Sequence, residues 1–251
     1  MRRPWLRFLA TVLFAALVGA GVASGTIFLI AREMLGPSAM QAVVKAALMA
    51  DPGMVNQALD AAEKQQQQHL NVARSQAIQT LASRIYDNPG TPSFGKPDAS
   101  VTIVEFFDYR CPYCKRVAPE MAALLASDPD IRVVYKEFPI LSPESLYAAK
   151  AALAANLQGQ YRPMHDALIG LKGTLDNAAV LQAAGEIGLD LAKLQQDMES
   201  AAVIDELRSV HELATALAID GTPTFLFGDQ YVSGAISVDE MRQLVAKLRQ
   251  S

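Results

Sequence analysis

The sequence predicts an α/β domain carrying an all-helical insertion, set behind a helical stalk and an N-terminal apolar segment, and three observations predict it. Val101-Thr-Ile-Val-Glu-Phe-Phe107 is an apolar, β-branched run that passes through Asp108-Tyr109-Arg110 into a helix start at Cys111-Pro112. Far downstream, Gly221-Thr222-Pro223-Thr224-Phe225-Leu226-Phe227 opens a strand, a second strand and a last helix. Between the two, residues 142–218 read as consecutive helices with no strand signal.

Taken from its start, the chain of 251 residues is 51% hydrophobic and 19% charged, enough apolar material for a sizeable core. Its formal charge of −4 gives no sign of nucleic-acid binding. Residues 1–36 hold a basic start, Arg2, Arg3 and Arg7, followed by 23 uncharged residues from Phe8 to Ile30, long enough to span a bilayer. Two readings compete there: a signal peptide cleaved near Gly21-Val22-Ala23, and an uncleaved inner-membrane anchor, which the apolar run continuing to Ile30 favours. Both keep the arginines cytoplasmic and export the rest.

Residues 37–90 read as a stalk. Met40, Val43, Val44, Ala47 and Leu48 follow helical spacing behind Pro37-Ser38, and Asp51-Pro52 caps and opens a second helix reaching about Ile85. The middle of that helix, Glu63-Lys64-Gln65-Gln66-Gln67-Gln68-His69, has no apolar face, so it serves as a solvated spacer or as part of a homo-oligomer. Asn88-Pro89-Gly90-Thr91-Pro92-Ser93 marks the boundary with the domain at 91–251.

Val101 to Phe107 should be a central strand, buried on both faces. Cys111 then stands at the N-cap with Pro112 at the first helical position, where its missing N–H costs nothing. The free N–H groups and the positive end of the macrodipole favour the thiolate at Cys111, which makes it the nucleophile. Cys114, one turn deeper, is placed to attack a mixed disulfide at Cys111 and so to resolve it. Lys115 and Arg116 add screened positive charge nearby. A structural zinc site wants four ligands, and neither a second Cys-x-x-Cys nor paired histidine spacing accompanies these two, the only cysteines in the chain. A purely structural bridge across two residues would remove little chain entropy. Redox chemistry, with no bound cofactor, is the reading that remains strongest.

Glu105 is a carboxylate in an apolar strand, so it is either neutral or paired, with Lys136 on the next strand as one candidate partner. That next strand spans Ile131 to Phe138, after a helix that Pro119 should kink. Four helices follow: one opened by Ser142-Pro143-Glu144, then Tyr161 to Leu171, Asp176 to Ile187 and Ala201 to Ala218. Leu146, Leu153, Val180, Leu181, Leu207 and Leu213 are assigned to their core faces, and His165 and His211 to surface or core rather than to catalysis. Pro223 sits at the mouth of the next strand, where a cis peptide bond is compatible. Gly228-Asp229-Gln230 turns into Tyr231-Val232-Ser233, and Ser237-Val238-Asp239-Glu240 is a capping box for the last helix.

The stretch Glu105-Phe106-Phe107-Asp108-Tyr109-Arg110-Cys111-Pro112-Tyr113-Cys114, together with Gly221-Thr222-Pro223-Thr224, resembles the thioredoxin-fold DsbA family, and its oligomeric suppressor-of-copper-sensitivity branch in particular. The resemblance covers about residues 90 to 250 by specific motifs and residues 37 to 88 by general character. It implies a thioredoxin fold with the helical insertion, a cis Pro223 facing the cysteines, and the backbone of Thr222 holding a substrate segment beside Cys111. Pro112 and Tyr113 would flank that segment, and Glu105 would relay a proton to or from Cys114. The dipeptide Pro-Tyr between the cysteines departs from the Pro-His of the best-known family oxidase, so a less oxidising pair is expected. Glutaredoxins share Cys-Pro-Tyr-Cys, but the N-terminus here argues against a small cytosolic enzyme. Thr222 resembles the choice in disulfide isomerases, with a hydroxyl able to bond near the sulfurs.

The expectation is a periplasmic thiol-disulfide oxidoreductase with isomerase or reductase ahead of oxidase. Its partners would be exported cysteine-containing proteins and a membrane redox protein that resets the pair. A membrane-anchored holdase or copper-binding protein is the alternative from another class.

Overall fold

The computed structural model describes residues 37–51 and 53–250. The signal or anchor segment at residues 8–30 and the helix-opening Pro52 lie outside the described residues. Among those described, no helix is long and apolar enough to cross a membrane. The chain divides into two units between His69 and Leu70.

In the first unit, α1 (Pro37–Ala50) and the beginning of α2 (Gly53–Thr80) are helical as their spacing predicts. Asp51 caps α2 through its carboxylate, which accepts from the Gly53 N–H at 2.9 Å. Val43, Val44, Leu48 and Met49 of α1 are all exposed on this single chain.

The second unit is built on a five-stranded mixed sheet of order β1-β3-β2-β4-β5. These strands are β1 (Ser93–Phe94), β2 (Val101–Phe107), β3 (Ile131–Glu137), β4 (Thr224–Phe227) and β5 (Gln230–Ser233). β2 is the middle strand, parallel to β3 and antiparallel to β4, as a run apolar on both faces requires. The edge strand β1, only two residues long, has no sequence signal and was not expected. On one face, Ile103, Phe107, Val133 and Tyr135 pack with Val117, Met121 and Leu124 of α4 (Pro112–Ser127) and with Met241 and Val245 of α10 (Val238–Leu248). α4 runs on through Pro119 without interruption. α10 opens on the expected capping box of Ser237 and Glu240.

On the other face Val104, Phe106, Val134, Phe138 and Leu226 meet Ile78 and Ile85. The sequence assigns residues 70–90 to the stalk, yet residues from Leu70 onward belong to the second unit. The reason is the spacing Ile78, Leu81, Ile85, a helical face apolar enough to cover the sheet. Arg74 adds to it, donating to the Leu217 carbonyl at 2.8 Å with its guanidinium 3.6 Å from the centre of the Tyr231 ring. The expected single helix also breaks: α2 ends at Thr80, whose hydroxyl bonds back to Gln76, and α3 (Ala82–Tyr86) restarts after Leu81.

The insertion contains α5 (Pro143–Leu157), α6 (Tyr161–Ile169), α7 (Asn177–Glu186), α8 (Leu191–Met198) and α9 (Ala201–Ala216). The sequence shows four of these and misses α8, which at 8 residues is too short to establish a period. Its start is nonetheless encoded, since Asp190 accepts from the Lys193 N–H at 3.0 Å. Leu153, Val180 and Leu213 are buried, and Leu181 and Leu207 pack partly against the core. Leu146 is a correction: it is 42% exposed, because the alanine face of α5 takes the core position instead.

Candidate active site

Cys111 caps α4 from an extended backbone conformation, and its sulfur accepts the Cys114 N–H at 3.4 Å. Its thiol donates to the carbonyl oxygen of Thr222 at 3.1 Å, and the peptide bond from Thr222 to Pro223 is cis. The two segments singled out in the sequence, whose contacting residues are 111 positions apart, therefore meet at one sulfur. The contact runs through the Thr222 carbonyl rather than its hydroxyl. Both cysteines are free thiols, Cys111 3% and Cys114 1% exposed. Pro112 takes the first helical position, and Tyr113 turns outward with the Arg116 guanidinium 4.8 Å from its ring centre. The Lys115 ammonium donates to the Leu171 carbonyl at 3.0 Å.

Below the cysteines, Glu105 and Cys114 line one cavity of about 30 Å³, room for a single water. Burial pushes Glu105 up to about 8, so that it is a protonated acid at neutral pH. Burial also pushes the Cys114 thiol well above its ordinary value, with the charges of Glu105 and Cys111 adding and a backbone hydrogen bond from Asp108 opposing. The expected pairing of Glu105 with Lys136 is not formed. Glu105 stands opposite Tyr135 in the parallel register, while Lys136 stands opposite Phe106 and faces the other side of the sheet. There its ammonium donates to the Arg84 carbonyl and the Thr91 hydroxyl, both at 2.9 Å. Burial lowers Lys136 to about 8, offset in part by Glu206.

Four buried residues of the site, Asp108, Tyr109, Glu137 and Tyr161, have roles that escaped the sequence reading. The Asp108 carboxylate accepts from the Arg110 N–H at 2.7 Å and from Ile140 and Leu141 N–H at 3.0 and 3.1 Å. Tyr109 and Tyr161 both donate to Glu137 Oε1, at 2.9 and 2.8 Å. Burial raises the Glu137 carboxyl well above the usual carboxylate range, and its Oε2 has no hydrogen-bond partner among the described residues. The signal for Glu137 was the one that exposed Glu105, a carboxylate in an apolar strand. His165, assigned to surface or core, is buried beside Tyr109 and walls the same cavity. Burial lowers it to about 3, with Arg162 adding to the effect, so it is neutral. His211 lies exposed on α9. Among the described residues no three His, Cys, Asp or Glu side chains gather as a metal site.

The family model of the DSBA-like thioredoxin domain matches residues 102–246. Among solved structures, a thioredoxin-like oxidoreductase from Silicibacter pomeroyi is 41% identical and covers 67% of this chain and 98% of its own, with a TM-score of 0.66. Salmonella enterica Typhimurium BcfH is 26% identical over 90% of this chain and 99% of its own, with a TM-score of 0.73. Proteus mirabilis ScsC in a transitional conformation is 26% identical over 85% of this chain and 97% of its own, at 0.65. A Na(+)/H(+) antiporter NhaA 1 of Salinispora arenicola is 31% identical over 153 residues, 60% of this chain. The chain spans only 24% of that protein's length.

Proposed function

Because the chain belongs to the family of DSBA-like thioredoxin domains, we propose that it is a periplasmic thiol-disulfide oxidoreductase acting on exported cysteine-containing proteins. The observation that carries this reading is the Cys111 sulfur, held between the Cys114 N–H at the helix start and the Thr222 carbonyl before cis Pro223. Cys111 is the nucleophile and Cys114 the resolving thiol. In the reducing direction the Cys111 thiolate attacks a substrate disulfide, forming a mixed disulfide and releasing one substrate thiolate. Cys114 then gives up its proton and attacks the Cys111 sulfur. The second substrate thiolate leaves, the substrate has gained two electrons, and the Cys111–Cys114 pair has lost them. Oxidation is the reverse.

Glu105 exchanges that proton with Cys114, since the two share a water-sized cavity and a buried acid near 8 can both give and take at neutral pH. Thr222 and Pro223 form the platform for an extended substrate segment, flanked by Pro112 and Tyr113.

Isomerase or reductase activity stands ahead of oxidase activity. Tyr113 supplies no charge to the nucleophile where a histidine would, and the exposed apolar side chains of α1 suit assembly of several copies around one misfolded substrate. The likeness to ScsC over 85% and to BcfH over 90% of this chain reaches beyond the catalytic part, which supports the suppressor-of-copper-sensitivity branch. An N-terminal anchor and a membrane redox partner that resets the pair complete the reading.

The test is recovery of activity by a scrambled multi-disulfide protein in a glutathione buffer. Recovery that disappears in Cys111→Ser is expected. Rapid oxidation of reduced substrate without any recovery of the scrambled one would replace the isomerase reading with a plain oxidase.

A further inference from the structure

His165 of α6 is buried among rings, its centre 4.6 Å from that of Tyr135, 5.0 Å from Phe107 and 5.8 Å from Tyr161. Close packing of this kind fixes the plane of the imidazole and with it the direction of both nitrogens. Nδ1 meets the Tyr109 hydroxyl at 3.2 Å. That hydroxyl has one proton, and it is given to Glu137 Oε1 at 2.9 Å, where Tyr161 donates as well at 2.8 Å. The Tyr109 oxygen is therefore the acceptor toward His165, and the imidazole proton sits on Nδ1. With Oε1 taking two donors, the proton that burial holds on Glu137 belongs to Oε2. Burial keeps the histidine ring neutral, which excludes protons on both nitrogens. The hydrogen-bond network thus assigns the tautomer, and Nε2 is left as a bare acceptor.

With Nδ1 engaged, the nitrogen left for the cavity that His165 walls together with Glu105 and Cys114 is Nε2. A water that carries a proton across this cavity accepts from the Cys114 thiol and donates to the Glu105 carboxylate, and its second hydrogen needs an acceptor of its own. We propose that His165 is a positioning residue for this proton transfer: Nε2 accepts the second hydrogen of a water bridging Cys114 and Glu105, and Tyr109 with Glu137 holds the imidazole in the tautomer that accepts. The inference rests on the exchange reaction proposed above and names the group that orients its proton step. No proton passes to or from His165. Cys114 loses one proton to the water, the water gives one to ionised Glu105 and is restored, and the sulfur attacks Cys111 as the substrate thiolate leaves. The other polar side chains of the wall do not supply this acceptor. Arg162 and Asp166 are joined to each other at 2.7 Å at the solvent end. The Tyr135 hydroxyl donates as readily as it accepts, and so fixes no direction.

The test has two arms, both on the full chain reduced at Cys111 and Cys114. In the first, the natural protein is isotopically labelled at its histidines, and long-range proton–nitrogen NMR reads the tautomer of His165, whose signals are those missing from His165→Gln. The Nδ1–H form is expected, and the Nε2–H form overturns the inference whatever the variants do. In the second, the protein is mixed with a peptide containing one disulfide and quenched with acid at intervals. Mass spectrometry then follows the mixed disulfide at Cys111 as it forms and as Cys114 resolves it. His165→Leu should form it at the natural rate and resolve it about tenfold more slowly, as one lost hydrogen bond implies. His165→Gln, whose amide oxygen can accept in place of Nε2, should recover most of that loss. Resolution at the natural rate in His165→Leu, or equal slowing in both variants, overturns this inference and leaves the exchange reaction standing. A His165→Leu protein that has lost its fold is recognised by loss of the first step, and the tautomer then decides. A natural protein that forms no mixed disulfide at Cys111 overturns the exchange reading and this one with it.

Discussion

Glu105 and Glu137 show how a single side chain can be read in sequence while its consequence needs the neighbours. Both interrupt apolar strands, and both lie on the sheet face that carries α4, where burial holds them protonated. They differ in partners. Glu137 receives two tyrosine hydroxyls, and Glu105 shares a cavity with Cys114. The folded chain keeps the Glu105 proton up to about pH 8, against 4.5 for an ordinary glutamate. Between those values the folded state binds more protons than the unfolded one, so stability falls as pH rises through the window, by up to about 1.4 kcal/mol per pH unit. Glu105→Gln should therefore flatten the pH dependence of denaturant unfolding between pH 5 and 8 and be the more stable protein at pH 8. Identical slopes for the two proteins would remove Glu105 as the buried acid. For the cysteines, Cys114→Ser should accumulate a mixed disulfide with substrate that mass spectrometry detects after non-reducing separation, whereas Cys111→Ser should form none. Capture by Cys111→Ser at natural levels would move the nucleophile to Cys114.

At the scale of elements, what the chain disclosed depended on length and on capping chemistry. Each insertion helix except α6 starts with a serine or aspartate that accepts from the residue three ahead, and those starts were readable wherever an apolar period followed. α8 has the cap without the length, and β1 has neither. Asp190→Ala should cost about 1 kcal/mol in a denaturant titration, the usual worth of a lost N-cap, and a cost indistinguishable from zero would show that packing alone sets α8. The cysteines, Pro112 and Pro223 were legible because each carries local backbone chemistry, whereas the meeting of Thr222 with Cys111 followed only from the family resemblance. Asp108 was not, since its three donors come from both ends of a strand-helix-strand unit that only the fold closes. The side of the sheet taken by Lys136 follows from the parallel register, which no local pattern specifies.

Across the whole molecule, the exposed apolar side chains of α1 carry the assembly part of the proposal. Replacing Val43, Val44, Leu48 and Met49 with serine should lower the mass measured by light scattering toward that of one chain. Recovery of a scrambled substrate should fall with it, while the rate with dithiothreitol in single turnover is retained. An unchanged mass would reduce the stalk to a spacer. The connection at residues 87–92 has a different consequence. By composition it is the kind of proline- and glycine-rich link a protease cuts first. In the fold, Asn88 donates to Glu206 at 2.6 Å, the Thr91 hydroxyl bonds to the same carboxylate, and buried Lys136 donates to Thr91. Digestion with a broad-specificity protease should leave this link intact for as long as the sheet stands, and the surviving core should begin upstream of Arg74, still carrying Ile78 and Ile85. The seam that such a digestion should open lies within α2, near the division between His69 and Leu70, rather than at the loop that composition alone would nominate.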